Sequence, residues 1–225
     1  MKVDVNKLTK VVNNQLLFFN NQHFIDKCIV EKVLNDIEPC FINSPCKYFY
    51  DANEIVFNED NSVQYSIFLW NLSKQFNKMN EKSTADKIYY LNKMLNGVDW
   101  YHEIDLPKIW GCEHPVGSVL GRAKYNDGLF LYQGTTIGGS NNFYPELGKN
   151  IIMYSNSSIL GKSHIGNNVI IATGVTILNY DVPDNCLVFQ KRDELMFVKK
   201  DIGYIQEKMS SKWKKQMFNL GNANE

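Results

Sequence analysis

The chain has 225 residues, enough for a sizeable core and for one or two domains. Its 24 basic residues balance its 24 acidic residues, so the composition does not show the excess of positive charge that is typical of proteins that bind nucleic acid or an acidic membrane surface. No apolar run approaches the roughly 20 residues of a membrane-spanning helix. The N-terminal MKVDVNKLTK lacks an export-signal core, and the five cysteines lack metal-type CxxC spacing. We therefore expect a cytoplasmic protein with reduced thiols.

Residues 1–98 are interpreted as a helical N-terminal domain, because their apolar residues recur at helical spacing. The predicted helices are Val11–Phe19, Cys28–Ile37, Val63–Phe76 and Ser83–Leu95. We expect Pro39 to end the second helix, because proline supplies no backbone N–H. Ser83 followed by Asp86 is a capping signal for the fourth helix, and Gly97 is its predicted stop.

From Leu147 to Val182 the sequence divides into six blocks of six residues, each opened by an aliphatic residue. The six openers are Leu147, Met153, Ile159, Ile165, Ile171 and Ile177. A helical period of 3.6 residues would scatter this spacing around the helix surface, so the pattern excludes an amphipathic helix. Repeats of this kind build parallel β-helices, in which three blocks make one coil and each opener points into the core.

The same period continues upstream and defines a β-helix domain over residues 99–200. Its upstream openers are Val119, Tyr125, Leu131 and Ile137. Ten residues separate Ile137 from Leu147, which predicts an inserted loop of about four residues at 140–146. Residues 201–225 form a third segment, in which 201–218 is a predicted helix that seals the open end of the β-helix.

Three segments preceding the hexads carry a resemblance to a known family. They are EHPVGSVLG at 113–121, YQGTTIGG at 132–139 and YPELGKNI at 144–151. With the hexads they resemble the serine acetyltransferases and related hexapeptide-repeat acyltransferases, notably O-acetyltransferases of bacterial surface polysaccharides. The resemblance covers residues 98–190. It implies a left-handed parallel β-helix, acetyl-CoA as the donor, no metal, and a homotrimer whose active sites lie between prisms.

The resemblance also implies a catalytic base. His114 stands where family members use a histidine to take the proton of the acceptor hydroxyl, which a neutral imidazole with an ordinary pKa of about 6.5 can accept. An upstream acid orients that histidine in the family, and Asp99 is the first candidate. Its rivals are Glu103, Asp105 and Glu113. Gly138 and Gly139 are predicted to supply an oxyanion donor or to let the CoA arm approach closely.

The remaining histidines receive no catalytic role. We expect His102 and His164 to be polar surface or loop residues, and His23 is assigned nothing.

Counting by whole coils of the repeat predicts two columns along one edge of the prism. The first column is His114, Tyr132, Tyr154 and Ala172, and the second is Pro115, Gln133, Ser155 and Thr173. By resemblance, Ser155 and Thr173 line the CoA channel. Tyr132, Gln133 and Tyr154 are predicted to contact substrate. The two tyrosines fit a surface aromatic ladder or a contact with a neighbouring subunit equally well.

Two departures from the family bear on the substrates. Phe143 and Tyr144 replace the basic residue and the histidine that help hold the amino-acid carboxylate in serine acetyltransferases. Aromatic faces suit a sugar better than a carboxylate, so both residues are predicted to bind the acceptor. After the last coil, Lys191 and Arg192 either meet the CoA phosphates or are ordinary surface charge.

Taken together, these residues predict an acetyl-CoA-dependent O-acetyltransferase that modifies a sugar hydroxyl of a surface polysaccharide or of its precursor. One alternative is a serine O-acetyltransferase of cysteine biosynthesis. The other alternative is a non-catalytic β-helix that acts as a scaffold or binding module, for which His114 would be replaceable.

Overall fold

The N-terminal helices bury one apolar side each in a shared core. The computed structural model describes residues 1–21, 24–192, 194–214 and 217, so His23 lies outside the described residues. The helices are α1 (Val5–Leu16), α2 (Lys27–Ile42), α3 (Ser62–Lys78) and α4 (Lys82–Asn96). Short 3-10 helices cover Leu17–Phe19 and Lys47–Phe49, and β1 (Tyr50–Asp51) pairs with β2 (Glu54–Ile55). None of the described helices is long and apolar enough to cross a membrane.

Helix α1 begins at Val5 and not at Val11, and two predicted signals for helix ends are wrong. Helix α2 continues through Pro39, and the Asn43 side chain donates to the Pro39 carbonyl at 2.8 Å to hold the last turn. Helix α4 begins at Lys82 with no side-chain cap. The predicted capping partner Asp86 instead lies 2.8 Å from Nε2 of His102. His102 is fully buried, contrary to the expectation of a surface residue.

The β-helix begins just beyond Gly97, the left-handed C-cap of α4. Its strands are β3 (Asp99–Trp100), β4 (Trp110–Cys112), β5 (Val119–Leu120), β6 (Leu129–Leu131), β7 (Thr136–Gly138), β8 (Glu146–Leu147), β9 (Ile151–Met153), β10 (Ser158–Leu160), β11 (His164–Ile165), β12 (Val169–Ile171), β13 (Thr176–Leu178), β14 (Asp181–Val182), β15 (Cys186–Lys191) and β16 (Glu194–Lys199). The first face runs β3-β5-β7-β10-β13, the second β8-β11-β14 and the third β4-β6-β9-β12-β15-β16. All neighbours on these faces are parallel except β15 and β16.

The hexad openers fill the prism core, as predicted. All six openers from Leu147 onward are buried. The inserted loop is also confirmed, because Ile159 pairs with Ile137, whereas an uninterrupted repeat would place it above Asn141. One upstream opener is wrong. Leu120 pairs with Ile137 and is 2% exposed, whereas Val119 points outward and is 40% exposed.

One corner of the prism is held by a ladder of asparagine side chains. Asn150 donates to Asn168 at 2.9 Å, and Asn168 donates to Asn185 at 3.0 Å. All three have φ near +57°, a left-handed conformation that asparagine tolerates. Below them Gly128 stands where a Cβ atom would lie 2.3 Å from the Asn150 side-chain oxygen. The ladder therefore needs glycine at its lowest rung.

The C-terminal segment does not seal the end of the prism. Helix α5 (Ile202–Met209) and the residues after it fold back along the outer side of the third face. Trp213 is its main anchor: the indole N–H donates to the Gly128 carbonyl at 3.2 Å and the ring meets Phe130 edge-on at 5.5 Å. At the end of the prism β16 pairs antiparallel with β15. That strand, not the helix, pairs with the last parallel strand of the third face, so the prediction is wrong.

Candidate active site

His114 lies on a bulge at the corner between the third and first faces. Glu113 N–H donates to the Leu131 carbonyl at 3.0 Å, so Glu113, and not His114, stacks beneath Tyr132. Gly134 N–H donates to the Val116 carbonyl at 2.9 Å, so Val116 stacks beneath Gln133.

The two residues between Glu113 and Val116 are therefore extra. The predicted stacking of His114 beneath Tyr132, and of Pro115 beneath Gln133, is wrong for this reason. His114 adopts φ +50° and its side chain is exposed. A left-handed backbone at a non-glycine residue costs roughly 1–3 kcal/mol and is common at functional sites. The bulge lifts the imidazole clear of the regular corner.

Glu113, directly before the base, is tied to the C-terminal segment. Its carboxylate lies 2.8 Å from the Lys212 ammonium. Burial favours a raised pKa for Glu113, but Lys212 and the Tyr132 hydroxyl outweigh it and hold that pKa below its ordinary range. Burial opposes the charge of Lys212 as well, and the same partners raise its pKa. Both groups stay charged, and the pair fixes the start of the bulge.

Tyr132 and Tyr154 stack as predicted, with ring centroids 5.1 Å apart and planes 19° apart. Both rings pack against the cluster built around α5 and Trp213. The Lys212 ammonium lies 4.9 Å from the centre of the Tyr132 ring. The structure thus uses the tyrosines as an aromatic ladder beneath the C-terminal segment of the same chain.

A second column runs up the corner beside His114, and we call it the corner column. It consists of Val116, Gln133, Ser155 and Thr173. The hydroxyls of Ser155 and Thr173 lie 3.4 Å apart on neighbouring coils. Strand β15 continues beyond Val188, which pairs with Ile171 at the end of β12, so the exposed Lys191 and Arg192 project past this corner. The column is a solvent-facing row of side chains with two basic residues beyond its upper end.

Asp99 lies in β3 beneath Val119 and is held by the helical part of the chain. Its carboxylate oxygens accept hydrogen bonds from the Tyr89 hydroxyl and the Lys93 ammonium, each at 2.6 Å. Burial favours a raised pKa for Asp99, but these two donors outweigh it and lower the pKa. Asp99 is therefore an ionised carboxylate, and its hydrogen bonds go to these residues and not to His114.

The rival acids are engaged elsewhere too. The ion pairs are Glu103 with Lys82 at 3.0 Å, Asp105 with Lys74 at 2.6 Å and Glu113 with Lys212 at 2.8 Å. In the described part of the chain, none of the predicted acids hydrogen-bonds to the imidazole.

The predicted loop residues lie at a different corner, between the first and second faces. Gly138 is extended in β7 and not in a turn. Gly139 makes room for its own loop, since a Cβ atom there would lie 2.7 Å from the Tyr144 ring. Phe143 and Tyr144 are exposed. Within one chain these residues are separated from His114 by the width of a face.

A cavity of about 500 Å³ opens beside His114, and we call it the α2–α3 cavity. Its walls come from α2, the 44–49 segment, the start of α3, residues 111–114, and Ser211–Lys212. This cavity could not be predicted from the sequence, because its walls combine segments from both halves of the chain that share no motif. The apolar spacing of α2 and α3 predicts burial but not which residues meet His114.

Sequence reasoning also missed a second imidazole–carboxylate contact, on the second face. Nδ1 of the half-exposed His164 lies 2.8 Å from Asp181, and its Nε2 lies 3.9 Å from Glu146. These three residues pair on successive coils. Counting by whole coils would have aligned His164 with Glu146 but not with Asp181, because the coil between His164 and Asp181 is one residue shorter. No set of three or more His, Cys, Asp or Glu side chains in the described ranges is arranged to hold a metal ion.

Comparison with known proteins gives related sequences and a shared fold. A serine acetyltransferase from Synechococcus elongatus is 34% identical over 104 residues, which are 44% of this chain and 42% of the relative. These comparisons support the hexapeptide-repeat acyltransferase family. The chain thus spans less than half the length of that curated relative. No protein-family model matches the chain.

Solved structures of this family share the architecture at low sequence identity. The serine acetyltransferase of Vibrio cholerae superposes with a TM-score of 0.66 at 15% identity, over 86% of this chain and 79% of that one. A serine acetyltransferase in complex with CoA superposes with a TM-score of 0.62 at 16% identity, over 88% and 86%. The predicted fold is confirmed: a left-handed parallel β-helix with N-terminal helices and a C-terminal helix. The relatives are named serine acetyltransferases, which favours the serine alternative over the predicted sugar branch.

Proposed function

We propose that this chain is an acetyl-CoA-dependent O-acetyltransferase in which His114 is the general base. The observation that carries the proposal is the position of His114, which stands exposed on a bulge between the corner column and the α2–α3 cavity. The imidazole takes the proton of the acceptor hydroxyl while that oxygen attacks the thioester carbonyl carbon. Collapse of the tetrahedral oxyanion breaks the C–S bond, and the CoA thiolate recovers the proton from the imidazolium.

The donor is proposed to lie along the corner column. Ser155 and Thr173 offer small hydroxyl side chains on neighbouring coils, about 4.8 Å apart along the prism axis. Lys191 and Arg192 stand past the top of this column and are the proposed partners of the CoA phosphates. The similarity to a serine acetyltransferase that was solved with CoA supports this donor.

A homotrimer is part of the proposal. In one chain, Gly138, Gly139 and the aromatic pair Phe143–Tyr144 lie a face away from His114. Packing of prisms side by side would bring the loop of one chain toward the His114 corner of the next. In this arrangement Phe143 and Tyr144 complete the acceptor side of a neighbour's site, and a backbone N–H near Gly139 is available to an oxyanion.

Asp99 remains the proposed orienting acid, acting from the strand beneath Val119. Tyr89 and Lys93 keep its carboxylate ionised and fixed, which suits an acid that orients an imidazole without taking its proton. Substituting Asp99 by asparagine is expected to lower kcat more than it changes the KM for acetyl-CoA.

Two acceptors are proposed. Sequence similarity favours L-serine, because the relatives that match are named serine acetyltransferases. A sugar hydroxyl is the second candidate, and the exposed pair Phe143–Tyr144 in the loop favours it, since these residues offer stacking surfaces instead of charge for a carboxylate.

The test is release of free CoA thiol from acetyl-CoA with L-serine or with a panel of methyl glycosides as acceptors. His114→Ala is expected to lower kcat by about 10²–10⁴-fold while CoA binding persists. The matched control is His164→Ala, which replaces a half-exposed histidine on another face and is expected to keep full turnover. Full turnover in His114→Ala would contradict the proposed base. Absence of CoA binding to the wild-type protein would favour the non-catalytic scaffold.

A further inference from the structure

We infer that the α2–α3 cavity is the acceptor pocket and that it takes a pyranose sugar. This inference rests on the proposed O-acetyltransferase function and deepens it. His114 lines the cavity together with Gly111–Glu113, whereas none of the four corner-column residues does. The imidazole therefore stands between the corner column, the proposed donor site, and the cavity. A base that deprotonates a hydroxyl for attack on a thioester has to lie between the two substrates.

The cavity floor is apolar. Phe41, Phe49, Ile67 and Phe130 are buried side chains that line it, and the rings of Phe41 and Phe49 meet edge-on at 5.2 Å. Deep in the cavity a ligand therefore meets carbon atoms. The apolar C–H faces of a sugar ring suit aromatic and aliphatic walls of this kind.

The cavity rim is polar and faces His114 from the helical side. Asp60, Asn61 and Ser62 line the cavity at the start of α3, and the exposed Tyr48 ring stands at its edge. Carboxylate, amide and hydroxyl groups supply both acceptors and donors for the several hydroxyls of a sugar. An apolar floor with a polar rim is the usual composition of a small-molecule site.

One pair of charges at the rim is already engaged. Lys212 is paired with Glu113 at 2.8 Å, so neither charge is free to bind the carboxylate or the ammonium group of a zwitterion. The Lys47 ammonium lies over the Tyr48 ring, 5.1 Å from its centre. A cavity of about 500 Å³ also matches a sugar ring with its substituents better than a molecule as small as serine.

The thiols provide a readout that requires no catalysis. Cys40, Cys46 and Cys112 line the cavity, and only Cys46 among them is half-exposed. Burial raises the pKa of Cys40 to about 12 and raises the pKa of Cys112 as well, so these two thiols resist alkylation. The exposed Cys28 on α2 does not line the cavity and serves as the internal control.

The experiment measures iodoacetamide labelling of Cys46 and Cys28 by peptide mass spectrometry, with no acetyl-CoA present. The probes are the methyl glycosides of glucose, galactose, mannose and N-acetylglucosamine, together with L-serine. A bound glycoside at ten times its Kd is expected to slow Cys46 labelling about tenfold and to leave Cys28 unchanged. Protection by L-serine alone would overturn the sugar assignment. Protection by no probe would overturn the acceptor pocket.

A pair of variants provides the second measurement. Ser62→Tyr narrows the cavity mouth, and Ser83→Tyr adds the same bulk to an exposed serine in the first turn of α4, outside the cavity. Ser62→Tyr is expected to raise the KM for the glycoside at least about tenfold, or about 1.4 kcal/mol, with the KM for acetyl-CoA unchanged. Equal KM values in both variants would contradict the pocket.

The two proposals fail in distinguishable ways. If the acetyltransferase proposal is wrong, no thiol is released with any acceptor, whatever the labelling of Cys46. If only the pocket is wrong, turnover persists and depends on His114, but Cys46 is not protected and Ser62→Tyr behaves like Ser83→Tyr.

Discussion

The upper coils and the first coil of this β-helix follow different rules of register. From Leu147 upward the coils keep the register of the hexad repeat, with one exception. The coil that separates His164 from its partner Asp181 is one residue shorter than the repeat. In the first coil the spacing between paired residues departs from one whole coil of the repeat. It is one residue longer between Cys112 and Leu131, and one residue shorter between Val119 and Thr136.

This difference shows which contacts allow an irregular coil. The upper coils are held mainly by their own repeat. The first coil is held by the helices below it and by Trp213 beside it, and this support tolerates a bulge that the repeat alone does not specify. The candidate base belongs to the irregular coil.

The largest expected effect concerns the anchor of the first coil. Trp213→Ala should lower the free energy of unfolding by about 3–5 kcal/mol, because it removes a fully buried ring that packs on Gly111 and Phe130. Urea denaturation measures this loss. Tyr204→Ala, a half-buried residue on α5, should cost clearly less. Equal costs would mean that the first coil does not depend on the tryptophan.

The register of the first coil is tested by a neighbouring pair. Leu120→Ala should cost about 2–5 kcal/mol, since the side chain is 2% exposed in the prism core. Val119→Ala, at the position that the hexad count predicts to be buried, should change the stability by less than about 0.5 kcal/mol. Urea denaturation of both variants gives the comparison. The reverse order would restore the regular register and remove the bulge.

The strained backbone of His114 gives a smaller effect of opposite sign. His114→Gly should raise the free energy of unfolding by about 0.5–1 kcal/mol and abolish turnover, because glycine adopts φ +50° without steric cost. His164→Gly, in β11, should instead destabilise the protein and retain turnover. Thermal denaturation and thiol release measure the two properties. Destabilisation by His114→Gly would indicate that the imidazole contributes to folding.

The smallest effect concerns the Glu113–Lys212 pair and its pH dependence. The pKa of Glu113 is lowered, so its contribution is present above the ordinary value of 4.5 and lost as the pH falls through the folded-state value. Lys212→Met should cost about 0.5–1 kcal/mol at pH 7, a modest value because Glu113 is 45% exposed. In denaturation curves across pH, the difference from the wild type should vanish in acid. A difference that persists in acid would reflect lost packing of Lys212.

The β-helix was predictable from sequence because each buried opener recurs at a fixed interval and a slip by one residue would expose it. Ile159, Ile171 and Ile177 lie as the period requires. The same count failed at His114, where two inserted residues leave the register one residue out on either side. The inserted loop at 140–146 was detectable from sequence, because regular openers stand both before it and after it.

The surroundings of the candidate base were not predictable for a different reason. Lys212 lies 99 residues from Glu113, and Ser62 belongs to the helical half of the chain, without a shared period or motif. The C-terminal apolar stripe predicted a helix over 201–218, which the structure forms over Ile202–Met209. The stripe fits the end of a prism and the side of a prism equally well. The antiparallel pairing of β15 with β16 and the packing of Trp213 on the third face exclude the end.

The position of Trp213 has a consequence for synthesis of the chain. Domains form as the chain leaves the ribosome, and contacts between residues far apart in sequence wait for the later one. Gly128, whose carbonyl accepts the indole N–H, precedes the tryptophan by 85 residues, and Gly111 emerges earlier still. The coil that bears His114 is therefore the first of the β-helix to be translated, but its contact with Trp213 forms only after the last coil has been translated.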